Sequence, residues 1–106
     1  MILSLVVSVP GSPTGIVYNG DTSEFIVRAG GSSASAAFLF STESGLISGW
    51  SPKVSATEAV TAVDRSTVGA IYKGLAIAGS TLYATDFHNG RVDVFDGAFT
   101  RPGAGW

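Results

Sequence analysis

Reactive side chains are sparse in this sequence, and most of them fall late in the chain. His88 is the single histidine and stands between Asp86 and Asp93. An imidazole beside carboxylates could serve as a general base or hold a metal ion. Asp64, which precedes Arg65, and Asp86, Asp93 and Asp96 are the main acidic candidates. Two carboxylates at the right separation hydrolyse glycosides, and carboxylates with backbone carbonyls bind calcium. The spacing supports neither chemistry. No D-x-D-x-D-G loop occurs, and an aspartate at each strand end is ordinary turn chemistry. His88 precedes Asn89-Gly90, so a solvated turn residue accounts for it. Asp93 alternates with Val92 and Val94, which turns it toward solvent or toward a neighbouring blade. Asp64, Asp86, His88 and Asp93 stand as candidates for a ligand surface. No catalytic, cofactor-binding or metal-binding residue is assigned.

Phosphate chemistry finds no seat. Asp21-Thr22-Ser23-Glu24 and Gly30-Gly31-Ser32-Ser33 precede no helix, and neither has the lysine or the glycine spacing that cradles a phosphate. Gly30-Gly31 reads as a flexible connection. A G-x-S-x-G nucleophile elbow is absent as well.

The elements that would position these residues are short strands. β-rich runs span 2–9, 15–18, 24–29, 37–41, 46–50, 59–63, 72–78, 81–86 and 91–96, with Gly, Pro, Asn and Asp between them. Asn89-Gly90 between two apolar-patterned runs is a strong hairpin signal, because type I′ turns need positive φ at both central residues. The best helical window, 56–63, is short, and the β-branched Val60, Thr61 and Val63 resist helix. It is assigned as strand.

Composition agrees with an all-β chain and excludes several classes of function. Charged residues make up 13% of the 106 residues, about half the roughly 25% of ordinary globular proteins. The net charge is -2 and no basic stripe occurs, so the electrostatic footprint of nucleic-acid binding is missing, as is attraction to an anionic membrane. With no cysteine, disulfides and thiolate metal sites are out of reach. The apolar start, 1–10, lacks the positive n-region and cleavage site of a signal peptide and is assigned as a strand ending at Pro10.

The chain also repeats itself. Phe38 to Trp50 aligns with Tyr83 to Phe95 at a constant offset of 45, pairing Gly45 with Gly90, Ile47 with Val92 and Trp50 with Phe95. Trp50 on Phe95 marks a packing position rather than a ligand contact. Gly15-Ile16 similarly matches Gly74-Leu75. A period of this length with several strands per unit is the mark of propeller blades. The expected organisation is one domain, with residues 1–10 completing a neighbouring blade, 13–66 forming a first blade and 70–106 a second, incomplete one.

The stretches 13–20, 42–52, 72–77 and 82–96 together resemble an uncharacterised family of bacterial secreted β-propeller proteins, of which this chain matches a central two-blade segment. The resemblance implies an extracytoplasmic location and carries no catalytic residue. Two blades leave open sheet edges and uncovered faces, so a homo-oligomeric ring is expected, most simply a trimer of six blades. The expected function is non-enzymatic binding of carbohydrate or protein, with no cofactor. A metal-dependent, lactonase-like hydrolase and a purely structural propeller fragment are the alternatives.

Overall fold

A computed structural model describes residues 7–55 and 57–101. Among them the chain is all-β, with three antiparallel sheets and one turn of 3-10 helix, Ser66–Val68. The first sheet has the order β1-β4-β5-β6, from β1 (Pro13–Tyr18), β4 (Phe38–Thr42), β5 (Leu46–Trp50) and β6 (Val60–Asp64). A two-stranded hairpin, β2 (Ile26–Ala29) and β3 (Ser32–Ser35), is inserted between β1 and β4. The last sheet is β7 (Tyr72–Ala78), β8 (Thr81–Asp86) and β9 (Arg91–Phe95), in chain order.

Strand positions follow the sequence reading closely, with one element added. Ser32–Ser35 forms β3, although its small polar residues carry no β signal. Gly30-Gly31 is therefore not a flexible connection. It is the two-residue turn of the β2–β3 hairpin, with φ of 59° and 83°, the positive pair that a type I′ turn requires. The expected first strand, 2–9, lies largely outside the described residues. Its described end pairs within the chain: Ser8 forms a parallel bridge with Glu58, just ahead of β6.

Two glycine-ended hairpins, β4–β5 and β8–β9, are copies of one design. Phe38 pairs with Trp50, and Leu82 with Phe95; Phe40 pairs with Ser48, and Ala84 with Asp93. Trp50 thus falls on Phe95 at an offset of 45, as the sequence suggested. Ahead of the turn, however, Phe38 falls on Leu82 rather than Tyr83. The reason is turn length: residues 43–45 join β4 to β5, whereas 87–90 join β8 to β9. The correspondence extends to β1 and β7. Both carry a bulge at the same place, between Pro13 and Gly15 and between Tyr72 and Gly74.

The two larger sheets meet at their first strands, β1 against β7. A Cβ on Gly15 would lie 3.0 Å from Leu75 Cβ, so the missing side chain lets the strands approach. Farther out the β2–β3 hairpin fills the space, touching β5 and β6 while Phe25 N–H donates to Gly97 O beyond β9. One core results. Phe25, Val27 and Ala36 of the insertion pack with Leu39 and Ile47 of the first sheet and with Tyr72, Leu82, Ala84 and Phe95 of the last. Phe25 and Phe99 both take positive φ, 56° and 61°. Their rings meet edge-to-face at 5.3 Å, which helps hold a backbone shape that a bulky side chain otherwise avoids.

Candidate functional site

The aspartates divide into turn-builders and one buried exception. Asp64 Oδ1 accepts the Ser66 N–H and hydroxyl, and Asp21 does the same for Ser23. The Ser66 and Ser23 bonds hold these two carboxyls below the usual carboxylate range. Asp96 accepts from Ala98 and Thr100 N–H. Asp86 is 2% exposed and ends β8. Burial alone would raise its pKa. The Asn89 side chain at 2.6 Å and the backbone N–H groups of Ile71 and Asn89 outweigh burial and hold it below its usual value. These carboxylates satisfy local donors, so they are poor candidates for a catalytic pair.

Asp93 is different. It is fully buried on the face of β9 turned to the first sheet, so it does not face solvent. Tyr72 OH donates to its Oδ2 at 2.7 Å. Three guanidinium groups gather around the carboxylate: Arg91 Nε at 3.0 Å, and Arg65 Nε and Arg101 Nη2 at 3.5 Å. Burial, with the Asp93 hydrogen bond adding to it, pushes the Tyr72 phenol far above its usual value, so it stays a neutral donor. Asp86 and Asp93 thus share one face of the last sheet, with Tyr72 beside both. Asp64 and His88 lie apart, exposed at turns. Among the described residues no three histidine or acidic side chains gather as metal ligands. The sequence reading missed Tyr72, Arg65, Arg91 and Arg101 as partners of Asp93. Arg91 was legible, since it stands two residues before Asp93 on the same face of β9; Tyr72, Arg65 and Arg101 come from other segments, and no local pattern announces them.

One surface with no assigned role is apolar. On the first sheet Ile16 and Tyr18 point away from the core and are 60% and 65% exposed. Phe38 and Phe40 continue the same face by cross-strand pairing. Tyr18 stands edge-on to Phe38 at 5.6 Å, and Phe38 stacks on Trp50 at 6.3 Å. Open grooves of about 620 and 480 Å³ flank Tyr18, lined in part by Asp21 and Thr22 on one side and by Asn19 and Lys53 on the other. Asn19 spends its amide on Asp21, Glu24 and Ala36 carbonyls. Thr22, Ser33, Ser35 and Lys53 add polar groups to the groove walls beside the exposed ring.

No protein-family model matches this chain, and neither does any solved structure. It is similar to three uncharacterised proteins of Acanthamoeba polyphaga mimivirus. Protein R640 is 33% identical over 87 residues, 82% of this chain and 16% of the relative. Protein R648 is 33% identical over 91 residues, 84% of this chain and 22% of the relative. Protein L690 is 33% identical over 94 residues, 87% of this chain and 25% of the relative. These viral relatives overturn the resemblance to bacterial secreted propeller proteins, and with it the bacterial origin. That resemblance rested on the stretches 13–20, 42–52, 72–77 and 82–96 taken in order. The chain spans only about a sixth to a quarter of the length of these relatives.

Proposed function

We propose that this chain is a non-enzymatic interaction module built from two β-propeller-type blades, with the open face of its first sheet as a contact surface for protein. The observation that carries this reading is a contrast between equivalent faces. In the last sheet the positions matching Phe38, Phe40 and Trp50 are Leu82, Ala84 and Phe95, all buried in the core. In the first sheet Trp50 is also buried and Phe38 and Phe40 are half-buried, but Ile16 and Tyr18 are more than half exposed where their counterparts Leu75 and Ile77 are half-buried against the core. A face patterned like the covered one, yet open, calls for a covering partner. The propeller-type arrangement is supported by the repeated register, the repeated bulge and the approach of β1 to β7 with the β2–β3 hairpin wedged farther out. An aromatic and aliphatic face suits a protein surface better than a sugar, and Asn19 and Asp21, the amide and carboxylate beside Tyr18, are held in local turns.

Placing charge on the face tests this. Ile16→Glu and Tyr18→Glu alter side chains exposed in the single chain, so its circular dichroism spectrum in dilute solution should hardly change. The attraction between molecules read from the concentration dependence of light scattering should fall. If wild type and the double variant scatter identically at every concentration, the face makes no contacts and the reading fails.

A further inference from the structure

Resting on that reading, we infer that the partner for the open face is a second copy of this chain, docked head to tail, with the far face of its last sheet covering the near face of the first. The argument is register. The face of the first sheet that packs inward carries Gly15, Val17, Leu39, Ser41, Ile47 and Gly49. Their equivalents in the last sheet are Gly74, Ala76, Tyr83, Thr85, Val92 and Val94, on the face turned away from the first sheet. Conversely, the open face with Ile16, Tyr18 and Phe38 is equivalent to the inward face with Leu75, Ile77 and Leu82. Each of these two faces, which no described strand covers, is thus the structural counterpart of one side of an interface already formed inside the chain. The two faces match along their first strands, where the covered ones meet directly; farther out the last sheet has only the 79–80 turn where the first carries the β2–β3 hairpin.

The close contact inside the chain fixes the expected contact between copies. Gly15 meets Leu75 across the sheets. The equivalents are Gly74 of one copy and Ile16 of the next. A Cβ on Gly74 would meet only Thr85 Oγ1 at 3.0 Å, so beyond it there is room for the Ile16 side chain, as Gly15 leaves room for Leu75. The surface at Gly74, Ala76 and Ala78 is small-residued, which permits the same close approach of first strands. Such a contact is heterologous: the two patches differ, so it closes into a ring or runs on as a filament. Propeller rings usually hold about 4–8 sheets, and three copies supply a number inside that range.

The absence of native cysteine makes the geometry directly readable. Ile16→Cys and Gly74→Cys chains, mixed and mildly oxidised, should form a disulfide-linked heterodimer, while each alone stays uncrosslinked. Tyr18→Cys with Ala76→Cys, one step along the same strands, repeats the test without changing a glycine. Light scattering on the unmodified chain should give a multiple of 10.8 kDa. Self-crosslinking by Ile16→Cys alone would show a face-to-face dimer, overturning head-to-tail docking while leaving the face a protein contact. A monomer that crosslinks in neither pair overturns the inference. If the glutamate variants also change nothing, the reading beneath it falls too.

Discussion

Asp86 shows how one side chain can tie a turn to a sheet. Its carboxylate accepts from Ile71 N–H at 3.1 Å and Asn89 N–H at 3.2 Å, joining the start of β7 to the β8–β9 turn. Because hydrogen bonding to the charged form lowers its folded pKa, Asp86 contributes stability above its unfolded pKa of about 4, and that contribution is lost as pH falls through the folded value. Asp86→Asn keeps one acceptor oxygen but loses the charge and the Asn89 side-chain partner. Urea unfolding at pH 7 should therefore show the variant less stable than wild type, with the gap closing below about pH 4. A gap that is the same at pH 7 and pH 3 would remove the ionised carboxylate from the account. Asp93 is tied more widely, to Tyr72 and to guanidinium groups from three separate segments. A buried carboxylate needs such partners, since an unpaired buried charge is costly.

At the scale of elements, turns set the register. Gly45 ends the β4–β5 turn at φ 79°, and a Cβ there would lie 2.7 Å from Ala70 O and 3.2 Å from Arg65 C. Gly79 also takes positive φ, 59°, yet nothing lies within 4 Å of its absent Cβ. Both Gly→Ala changes carry the left-handed penalty of about 1–2 kcal/mol, and Gly45→Ala adds a clash with backbone that cannot turn aside. Gly45→Ala should thus destabilise clearly more than Gly79→Ala in chemical denaturation; equal losses would mean the chain near Ala70 yields freely. The β2–β3 hairpin makes the opposite point. Its second strand, Ser32–Ser35, has no side chain that favours a sheet. It forms because the Gly30-Gly31 turn folds it back onto β2, whose Val27 is buried in the core.

At the scale of the whole molecule, the two larger sheets are joined where side chains are missing. Gly15 sits where a Cβ would come within 2.8 Å of Ser41 Oγ, 3.0 Å of Leu75 Cβ and 3.1 Å of Leu75 N. Gly74 is the same position in the last sheet, facing outward. Gly15→Ala should therefore cost about 1–3 kcal/mol, the range for overpacking a well-filled contact, and Gly74→Ala much less in dilute solution. Matched losses in dilute urea titrations would contradict the close approach of β1 to β7. The same asymmetry makes Gly74 a position where bulk presses only on the Thr85 hydroxyl within the chain and should matter more between molecules.

Much of this molecule was legible in its residues. Alternating β-branched and aromatic runs, cut by Gly, Asn and Asp, marked every described strand but Ser32–Ser35, because period and turn chemistry act over a few residues. The repeat was legible for the same reason, and it erred by one residue where the two hairpin turns differ in length. The role of the aspartates as turn-builders followed from their places at strand ends. Tertiary structure alone decided the rest. Alternation says that Asp93 and its neighbours Val92 and Val94 face opposite ways, but only the packing of one sheet on another decides which way is buried. Arg65 and Tyr72 reach Asp93 from segments far from it in sequence, as Leu75 reaches Gly15. Which faces remain open depends on where the sheets already meet, a property of distances across the fold rather than of any stretch of chain.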